Sequence, residues 1–231
     1  MTLACRDMDK VFLITGASTG IGAATARQAA DAGFKVVLAA RSEEKLRALA
    51  DETGGLAVRC DVTEWDEQQA LVARTLDEFG RLDVAFANAG FGGARGFTSG
   101  SPEEWKSMVL TNVYGAALTI RAAYDALVAS SGHLLLTSSV AGRRALPGSF
   151  YSVTKHAVTA MGESARQELT EKGVRVTLIE PGVVDTPFFD NKPKIRALEA
   201  DDIARAVMFA VQQPPHVSVN EILVRPTAQP T

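Results

Sequence analysis

Short, continuous apolar segments recur along the chain, and longer segments with apolar residues at helical spacing lie between them. Continuous apolar runs are typical of strands that are covered on both faces, as in a parallel sheet, whereas half-exposed strands alternate between apolar and polar residues. The pattern therefore predicts the strands of a parallel sheet. They are expected at 10–16, 35–40, 56–62, 82–90, 132–139, 174–182 and 221–226.

The segments between these strands carry helix-start and helix-stop signals, such as Ser101-Pro102 and Gly80. Strands that alternate with helices through right-handed crossovers indicate an α/β fold: a doubly wound, seven-stranded parallel sheet, Rossmann-like, with helices on both faces. No linker or repeat interrupts the pattern, so we expect a single domain over 1–231. Its end, 226–231, is expected to be loosely ordered unless it docks on a partner subunit. The helices are predicted at 20–31, 43–53, 65–79, 102–129, 150–172 and 200–212.

Composition narrows the choice of partner more than it narrows the fold. Of the 231 residues, 22% are charged and 46% are hydrophobic, and the net charge of -3 gives no electrostatic reason to expect a nucleic-acid partner. Cys5 and Cys60 are too few for a disulfide framework, and no Cys/His cluster points to a metal site. Without a signal peptide or an apolar run of ~20 residues, the chain is expected to be cytoplasmic, to avoid membranes and to act on a small molecule.

The first predicted strand runs into the glycine-rich sequence TGASTGIG, with Gly16, Gly20 and Gly22 ahead of a helix. Glycines allow close approach of the backbone to a ligand, and the free N–H groups at a helix start attract a pyrophosphate. A tight turn without a ligand is the alternative. Because ligands of doubly wound sheets collect at the carboxyl ends of the strands, we interpret the loop as a dinucleotide site.

The end of the second strand distinguishes one dinucleotide from another. NAD sites usually carry a carboxylate there, but this chain has Ala39-Ala40-Arg41-Ser42, and the guanidinium of Arg41 could meet a 2′-phosphate. This favours NADP(H), with a solvated charge as the alternative role of Arg41. After the third strand, Asp61 and Val62 are expected to contact the adenine edge, with a helix cap as the alternative for Asp61.

Tyr151 and Lys155 stand four residues apart in a predicted helix and therefore share one face. A carbonyl that accepts a hydride develops negative charge on oxygen, and it needs a proton donor and a second hydrogen-bond donor. The pKa of a free phenol is about 10, and we expect the Lys155 ammonium, together with a cationic nicotinamide, to lower the pKa of Tyr151. A surface lysine beside a half-buried tyrosine is the alternative for this motif alone.

The motifs taken together resemble the classical short-chain dehydrogenases/reductases (SDR), from about residue 10 to 226. The resemblance implies that Asn112, Ser139, Tyr151 and Lys155 are catalytic: Ser139 would bind the substrate oxygen, Lys155 the nicotinamide ribose, and Asn112 a water in a proton relay. The motifs are TGASTGIG (15–22), NAG (88–90), Asn112 in TNVYG, SSVAG (138–142), YSVTK (151–155) and PGVVDT (181–186). From these motifs and the strand ends, the expected cofactor contacts are Gly16, Ser18, Thr19, Gly20, Ile21, Gly22, Arg41, Ser42, Asp61, Val62, Asn88, Ala89, Gly90, Tyr151, Lys155, Pro181, Gly182, Val184 and Thr186.

Two adjacent serines compete for the catalytic position. Counting back from Tyr151 by the family's usual spacing selects Ser138, whereas alignment through the strand and SVAG selects Ser139. We prefer Ser139, because strand register fixes which hydroxyl faces the site and a loop can absorb a deletion. Ser138 remains the alternative.

The predicted function is that of an NADP(H)-dependent oxidoreductase that interconverts an alcohol and a ketone or aldehyde. The alternatives are a catalytically silent NADP(H)-binding sensor or subunit, and an isomerase or epimerase of the same family. The ending of the chain is similar to the 3-hydroxy acid (serine-type) and clavulanic acid dehydrogenase branch, which favours small polar substrates. The family usually forms dimers or tetramers, so a homo-oligomer, in particular a homotetramer, is expected. The candidate contact faces are 115–129 and 157–165, with burial within the monomer as the alternative.

The substrate pocket is expected to be open, because only a short segment follows PGVVDT before the next helix. The adjacent Arg143 and Arg144 could bind an anionic substrate, and a solvated turn is the alternative for this pair. The candidate apolar walls of the pocket are Phe91, Leu146, Phe150, Phe188 and Phe189, with ordinary core or loop packing as the alternative for each.

Overall fold

The structure is a computed structural model that describes residues 9–188 and 195–229. Cys5 and Phe189 therefore lie outside the described residues. The strands are β1 (Val11–Thr15), β2 (Lys35–Ala40), β3 (Leu56–Arg59), β4 (Val84–Ala87), β5 (His133–Thr137), β6 (Arg175–Pro181), β7 (Val184–Asp185), β8 (Leu198–Glu199) and β9 (Glu221–Val224). The α-helices are α1 (Gly20–Asp31), α2 (Glu43–Thr53), α3 (Trp65–Phe79), α4 (Pro102–Val109), α5 (Gly115–Ser130), α6 (Phe150–Thr170) and α7 (Ala200–Val211).

In the described part of the chain, the main sheet has seven strands in the order β3-β2-β1-β4-β5-β6-β9, and every neighbouring pair is parallel. This confirms the predicted doubly wound, Rossmann-like sheet. The order reverses between β1 and β4, and the loops that follow these two strands therefore leave on opposite sides of a crevice, where such sheets bind ligands. The short pair of β7 and β8 lies outside the main sheet and was not predicted.

Both faces of the sheet are covered, as the continuous apolar runs predicted. Along β1, Phe12 and Ile14 pack into one core cluster together with Ile203 and Val207 of α7. Leu13 faces the other cluster, which includes residues of α3, α5 and α6. The side chains of the central strands are almost fully buried, so burial of apolar surface on both sides fixes the position of the strand ends that form the site.

The long helix predicted over 102–129 is interrupted. Ser101 caps α4, since its Oγ accepts a hydrogen bond from the backbone N–H of Glu104 at 3.1 Å. Leu110–Tyr114 then forms a π-helical turn before α5 begins. A wider turn of this kind is frequent at functional positions. It includes Asn112, which the sequence placed in the catalytic group.

The strands β3 and β4 end earlier than predicted, because the residues beyond them leave the ladder to form loops at the carboxyl edge of the sheet. The expectation of a loosely ordered tail was wrong for the described residues up to Gln229. The Gln229 side chain accepts a hydrogen bond from the backbone N–H of Val183, so the tail docks on its own chain. Within the described residues, no helix combines the length and apolarity needed to cross a membrane.

Candidate active site

The turn between β1 and α1 forms a close-fitting cradle. Gly16 has a positive φ of 65°, and a Cβ there would lie 2.8 Å from the Ala89 Cα. At Gly22, a Cβ would collide with the carbonyl oxygen of Gly16. Thr19 is the N-cap residue of α1, but its side chain makes no capping hydrogen bond. Thr19 therefore does not occupy the first N–H groups of α1 with its side chain, and N–H groups at a helix start attract anions.

The remaining residues of this turn have mixed environments. Ser18 is half-buried and Thr19 is exposed at the opening of the turn. Ile21 packs partly against the core, so its backbone rather than its side chain is available to a ligand. The loop is closed from the opposite side by Thr186, whose Cγ2 would lie 3.3 Å from a Cβ on Gly20.

Asn88 connects the ends of three neighbouring strands. Its Nδ2 donates to the backbone oxygen of Thr15 at 3.0 Å, and its Oδ1 accepts from the hydroxyl of Thr137 at 3.0 Å. The Thr15 hydroxyl in turn accepts from the backbone N–H of Asn88 at 3.0 Å. The Asn88 side chain thus positions the site, and Ala89 and Gly90 carry the backbone that borders it.

Asn112 anchors the loop after β4 to the middle of the site. The residue is 2% exposed. Its Oδ1 accepts from the Phe91 N–H at 2.9 Å, and its Nδ2 donates to the Phe91 oxygen at 2.9 Å and to Thr154 Oγ1 at 3.1 Å. Both amide hydrogens are therefore used within the protein. A relay water at this position would have to meet the backbone of Asn112 rather than its amide N–H groups.

The two adjacent serines face different surroundings. Ser139 Oγ donates to the Pro181 oxygen at 3.2 Å, accepts from the Ala141 N–H at 3.1 Å and hydrogen-bonds the Tyr151 hydroxyl. Ser138 Oγ is directed into α6, where it donates to the Lys155 oxygen at 3.1 Å and lies 2.7 Å from Thr159 Oγ1. This geometry favours Ser139 as the serine that meets a substrate and gives Ser138 a packing role.

Lys155 is buried at the centre of the site, where it is 3% exposed. Its Nζ donates to the Thr137 backbone oxygen at 2.6 Å and lies 5.6 Å from the centroid of the Tyr151 ring. Burial lowers the pKa of Lys155 to about 8, because the charged form loses its hydration. The ammonium is nevertheless the main form at pH 7.

The pKa of Tyr151 departs from the sequence-based expectation. Burial raises it to about 12, and the hydrogen bond between Tyr151 and Ser139 opposes the rise. The expected lowering by Lys155 is absent from the protein alone, because desolvation of the phenolate outweighs an ammonium that is engaged with Thr137. A phenol in this state stays protonated at neutral pH, and an additional positive charge nearby would lower its pKa.

The end of β2 presents Arg41, which is exposed and makes no ion pair with any residue that the structure describes. Ser42 is the N-cap residue of α2, and its side chain makes no capping hydrogen bond. Glu43 follows directly, but its carboxylate pairs with Arg47 at 2.8 Å. A guanidinium and a hydroxyl are thus both available at this corner of the crevice.

Asp61 and Val62 line the next strand end. The Asp61 carboxylate accepts from the N–H and the hydroxyl of Thr63, at 3.0 and 2.9 Å. Its alternative role as the cap of α3 is wrong, since Glu64 occupies that position. Val62 is 6% exposed, and its side chain packs so closely against Gly115 that a Cβ there would lie 2.7 Å from Val62 Cγ2.

Neither interpretation of the Arg143-Arg144 pair holds for Arg143. Its Nε donates to Glu180 Oε1 at 2.6 Å, and its Nη2 pairs with Glu221. Glu180 lies on β6 and its side chain is 1% exposed, so Arg143 neutralises a buried carboxylate and is not free to bind a substrate. Arg144 is exposed, as expected for a turn.

The side chains that were predicted as walls of the substrate pocket have different surroundings. Phe188 meets the ring of Tyr151 edge to face, with centroids 5.4 Å apart, as a wall of the pocket would. Phe150 instead stacks on Trp105 at 5.2 Å. Phe91 and Leu146 are partly buried.

Sequence reasoning missed three residues that organise the site. Thr137 supplies the oxygen that holds Lys155, Thr154 binds Asn112, and Gln229 binds the loop after β6. The position of Thr137, directly before the SSVAG motif at a strand end, is a signal that could have identified it. Thr154 and Gln229 act through tertiary contacts and have no local signature.

A family model described as short chain dehydrogenase matches residues 10–196. The chain therefore belongs to the short-chain dehydrogenase family, whose activity is that of an oxidoreductase. An uncharacterised oxidoreductase of Staphylococcus saprophyticus is 39% identical over 228 residues, covering 94% of this chain and 97% of the relative.

Solved structures agree with this assignment. An alcohol dehydrogenase from the archaeon Thermococcus sibiricus, complexed with 5-hydroxy-NADP, matches with a TM-score of 0.88 and 33% identity, over 96% of this chain and 98% of that chain. A 3-ketoacyl-(acyl-carrier-protein) reductase from Brucella melitensis, complexed with NADH, matches with a TM-score of 0.87 and 28% identity, over 94% and 97%. The fold thus accompanies either nicotinamide cofactor.

Proposed function

We propose that the protein is an NADP(H)-dependent oxidoreductase that interconverts an alcohol and a ketone or aldehyde, with Tyr151 as the acid/base. The observation that carries the proposal is the meeting of Tyr151, Ser139 and Lys155 at the carboxyl edge of the sheet, beside an uncapped glycine-rich helix start. The alternatives of a silent cofactor-binding protein and of an isomerase are outcomes of the test below.

Different groups of residues around the crevice would bind different parts of a dinucleotide. The α1 start, with Ser18 to Gly22, would hold the diphosphate. Asp61 and Val62 would border the adenine, while Tyr151 and Lys155 would hold the nicotinamide ribose. Pro181, Gly182, Val184 and Thr186 would border the nicotinamide, which supplies or accepts a hydride when the cofactor is bound.

Three side chains of this protein would carry out the remaining chemistry. The Ser139 hydroxyl would turn from the Pro181 oxygen to the substrate oxygen and hold it as negative charge develops there. The Tyr151 hydroxyl would donate its proton to that oxygen during reduction and accept one during oxidation. The Lys155 ammonium would anchor the ribose and, together with a cationic nicotinamide, would favour the phenolate electrostatically.

The preference for NADP(H) rests on Arg41 and Ser42. The described residues give the Arg41 guanidinium no ion-pair partner, and a phosphate is the group that it binds best through paired N–H donors. Placement in the serine-type branch of the family rests on the chain ending alone and remains a prediction. We also propose that 1–231 acts as one domain, in the cytoplasm, on a small-molecule substrate.

The test is a fluorescence titration with NADPH and with NADH, followed by cofactor oxidation over a panel of ketones and aldehydes. We expect tighter binding of NADPH, turnover of at least one carbonyl compound, and a loss of turnover of about 100-fold or more in Tyr151→Phe with binding retained. Tyr124→Phe, which removes a phenol from α5, is the matched control. Binding without turnover of any compound would favour the silent protein or the isomerase, and equal turnover by Tyr151→Phe would refute the mechanism.

A further inference from the structure

The end of the chain returns to the loop that follows β6. Beyond β9, the Gln229 N–H donates to the Pro226 oxygen at 2.9 Å, which closes a turn. This turn directs the Gln229 side chain at the neighbouring loop, where its Oε1 accepts from the Val183 N–H at 2.9 Å. The contact joins residues 46 positions apart in the sequence.

Gly182 leaves the space in which the Gln229 side chain lies. A Cβ on Gly182 would collide with Gln229 Oε1 and would lie 3.1 Å from Pro226 Cδ. The glycine that the motif assigns to the cofactor therefore also makes room for the tail of the chain. Any larger residue would force the two segments apart.

The backbone from Pro181 to Val183 is held by partners on several sides. Ser139 donates to the Pro181 oxygen at 3.2 Å, the Gly182 N–H donates to the Val224 oxygen at 2.7 Å, and the Leu198 N–H donates to the Val183 oxygen at 3.0 Å. Gln229 completes the set at the Val183 N–H. Because Pro181 is bound to Ser139, a shift of the loop would reach the serine that hydrogen-bonds Tyr151.

We propose that Gln229 is a positioning residue, whose side-chain oxygen sets the place of the Gly182–Thr186 segment that would border the nicotinamide. The inference rests on the proposed function, since it assumes that this segment meets a cofactor. Gln229 would act through the backbone of this segment, at the Val183 N–H. Its oxygen fixes an N–H that would otherwise be free to turn, so the loop is already in place when a ligand arrives.

Two substitutions distinguish the effect of the hydrogen-bond acceptor of Gln229 from the effect of its side-chain size. Gln229→Met keeps the length of the side chain but lacks the oxygen, which leaves the Val183 N–H without its partner. Gln229→Glu keeps an oxygen in the same place and is expected to behave much like the native protein. Thr227→Ala changes an exposed residue of the same turn and is the matched control.

The first measurement is amide hydrogen exchange on the full-length protein without cofactor. In Gln229→Met we expect the Val183 amide to exchange about tenfold faster, because a lost hydrogen bond makes local opening easier. The second measurement is the NADPH dissociation constant from fluorescence, which we expect to rise about three- to tenfold in Gln229→Met and to return near the native value in Gln229→Glu.

The inference is overturned if Gln229→Met matches the native protein in both measurements, or if the Val183 amide exchanges as fast in Gln229→Glu as in Gln229→Met. Failure of the proposed function gives a different result: the native protein itself would not bind NADPH. The exchange measurement needs no cofactor and therefore judges the role of Gln229 in holding the loop in either case. A thermal unfolding midpoint for each variant identifies a general loss of folding.

Discussion

At the scale of single residues, the site contains two titratable groups that are displaced from their ordinary ranges in opposite directions. Burial raises the pKa of Tyr151 to about 12 and lowers that of Lys155 to about 8. In each case the neutral form is favoured because it loses less hydration. Without a ligand, Tyr151 therefore stays protonated. The charged form of Lys155 is poorly hydrated in its buried position and lowers the free energy of unfolding.

This cost gives a prediction for Lys155→Met. Below pH ~8 the folded protein carries the poorly hydrated charge of Lys155. Between pH ~8 and ~10.5 the unfolded chain binds a proton that the folded protein lacks. The free energy of unfolding of the native protein therefore rises with pH in that window. Met removes the charge but also the bond to Thr137. We expect Lys155→Met to be more stable at pH 7 by about 1–2 kcal/mol, with a gap that closes toward pH 10.

Urea unfolding of both proteins at pH 7 to 10 measures this difference. Lys172→Met, an exposed substitution beyond α6, is the control and should leave the pH dependence unchanged. A Lys155→Met protein that is less stable at pH 7 and keeps the native pH slope would contradict the prediction. The same variant should be inactive, so stability and activity would move in opposite directions.

At the scale of elements, the sequence predicted what local patterns encode. The strand positions follow from continuous apolar runs, and the start of α4 follows from Ser101 and Pro102. The π-helical turn at 110–114 was beyond such reasoning, because its bonds depend on Asn112 reaching the loop after β4. The early end of β4 has a similar origin, since Asn88 binds Thr15 and Thr137 on the two neighbouring strands. After β3, the Asp61 N–H turns to the carboxylate of Glu67 on α3.

The same distinction holds within the site. The glycine loop and the Tyr151 motif are local and could be placed from sequence. The surroundings that set the pKa of Tyr151, and the partners of Asn88 and Arg143, depend on strands far apart in the chain. The choice between Ser138 and Ser139 depended on strand register, which the sheet pattern predicts well enough to prefer one serine.

Arg143 pairs with Glu180 of β6 and with Glu221 of β9, and these contacts give a second prediction. Arg143 neutralises Glu180, whose side chain is 1% exposed and whose pKa is raised by burial. Arg143→Met would leave this carboxylate without its partner, and we expect a loss of about 2–4 kcal/mol in the free energy of unfolding at pH 7. The double substitution with Glu180→Gln should recover much of that loss.

Arg144→Met provides a matched control for this prediction, because Arg144 is adjacent and exposed. It should change the free energy of unfolding by less than about 0.5 kcal/mol. Urea unfolding at pH 7 and pH 5 is the measurement. The effect of Arg143→Met should shrink at the lower pH, where the carboxyl group of Glu180 is more readily protonated. Equal losses for Arg143→Met and Arg144→Met would show that the buried pair contributes little.

At the scale of the whole molecule, apolar residues remain exposed on two sides. Phe209 on α7 is 57% exposed and Leu223 on β9 is 41% exposed. On the side of α4 and α6, Val109 and Val153 are 38% and 53% exposed. Exposed apolar faces are expected where identical subunits meet, so we propose a homo-oligomer, although these four residues lie outside the contact faces expected from the sequence, 115–129 and 157–165.

Phe209→Lys tests this proposal. A charge in the middle of a subunit contact would be costly, so we expect the native protein to sediment as a dimer or tetramer and the variant to sediment as a smaller species. Leu76→Lys changes a residue on α3 that is 38% exposed and should leave the native assembly intact. A native protein that sediments as a monomer at micromolar concentration would rule the assembly out.

The bonds of Asn88 across three strand ends have a consequence for chemical ageing. Its Nδ2 donates to the backbone oxygens of Thr15 and Gly16, at 3.0 and 3.4 Å. Deamidation would replace this donor with an anionic oxygen, next to two carbonyl oxygens and beside the turn that is proposed to hold a diphosphate. Hydrolysis of this one amide during storage would thus remove the Nδ2 bonds to the end of β1 and repel an anionic ligand in a single event.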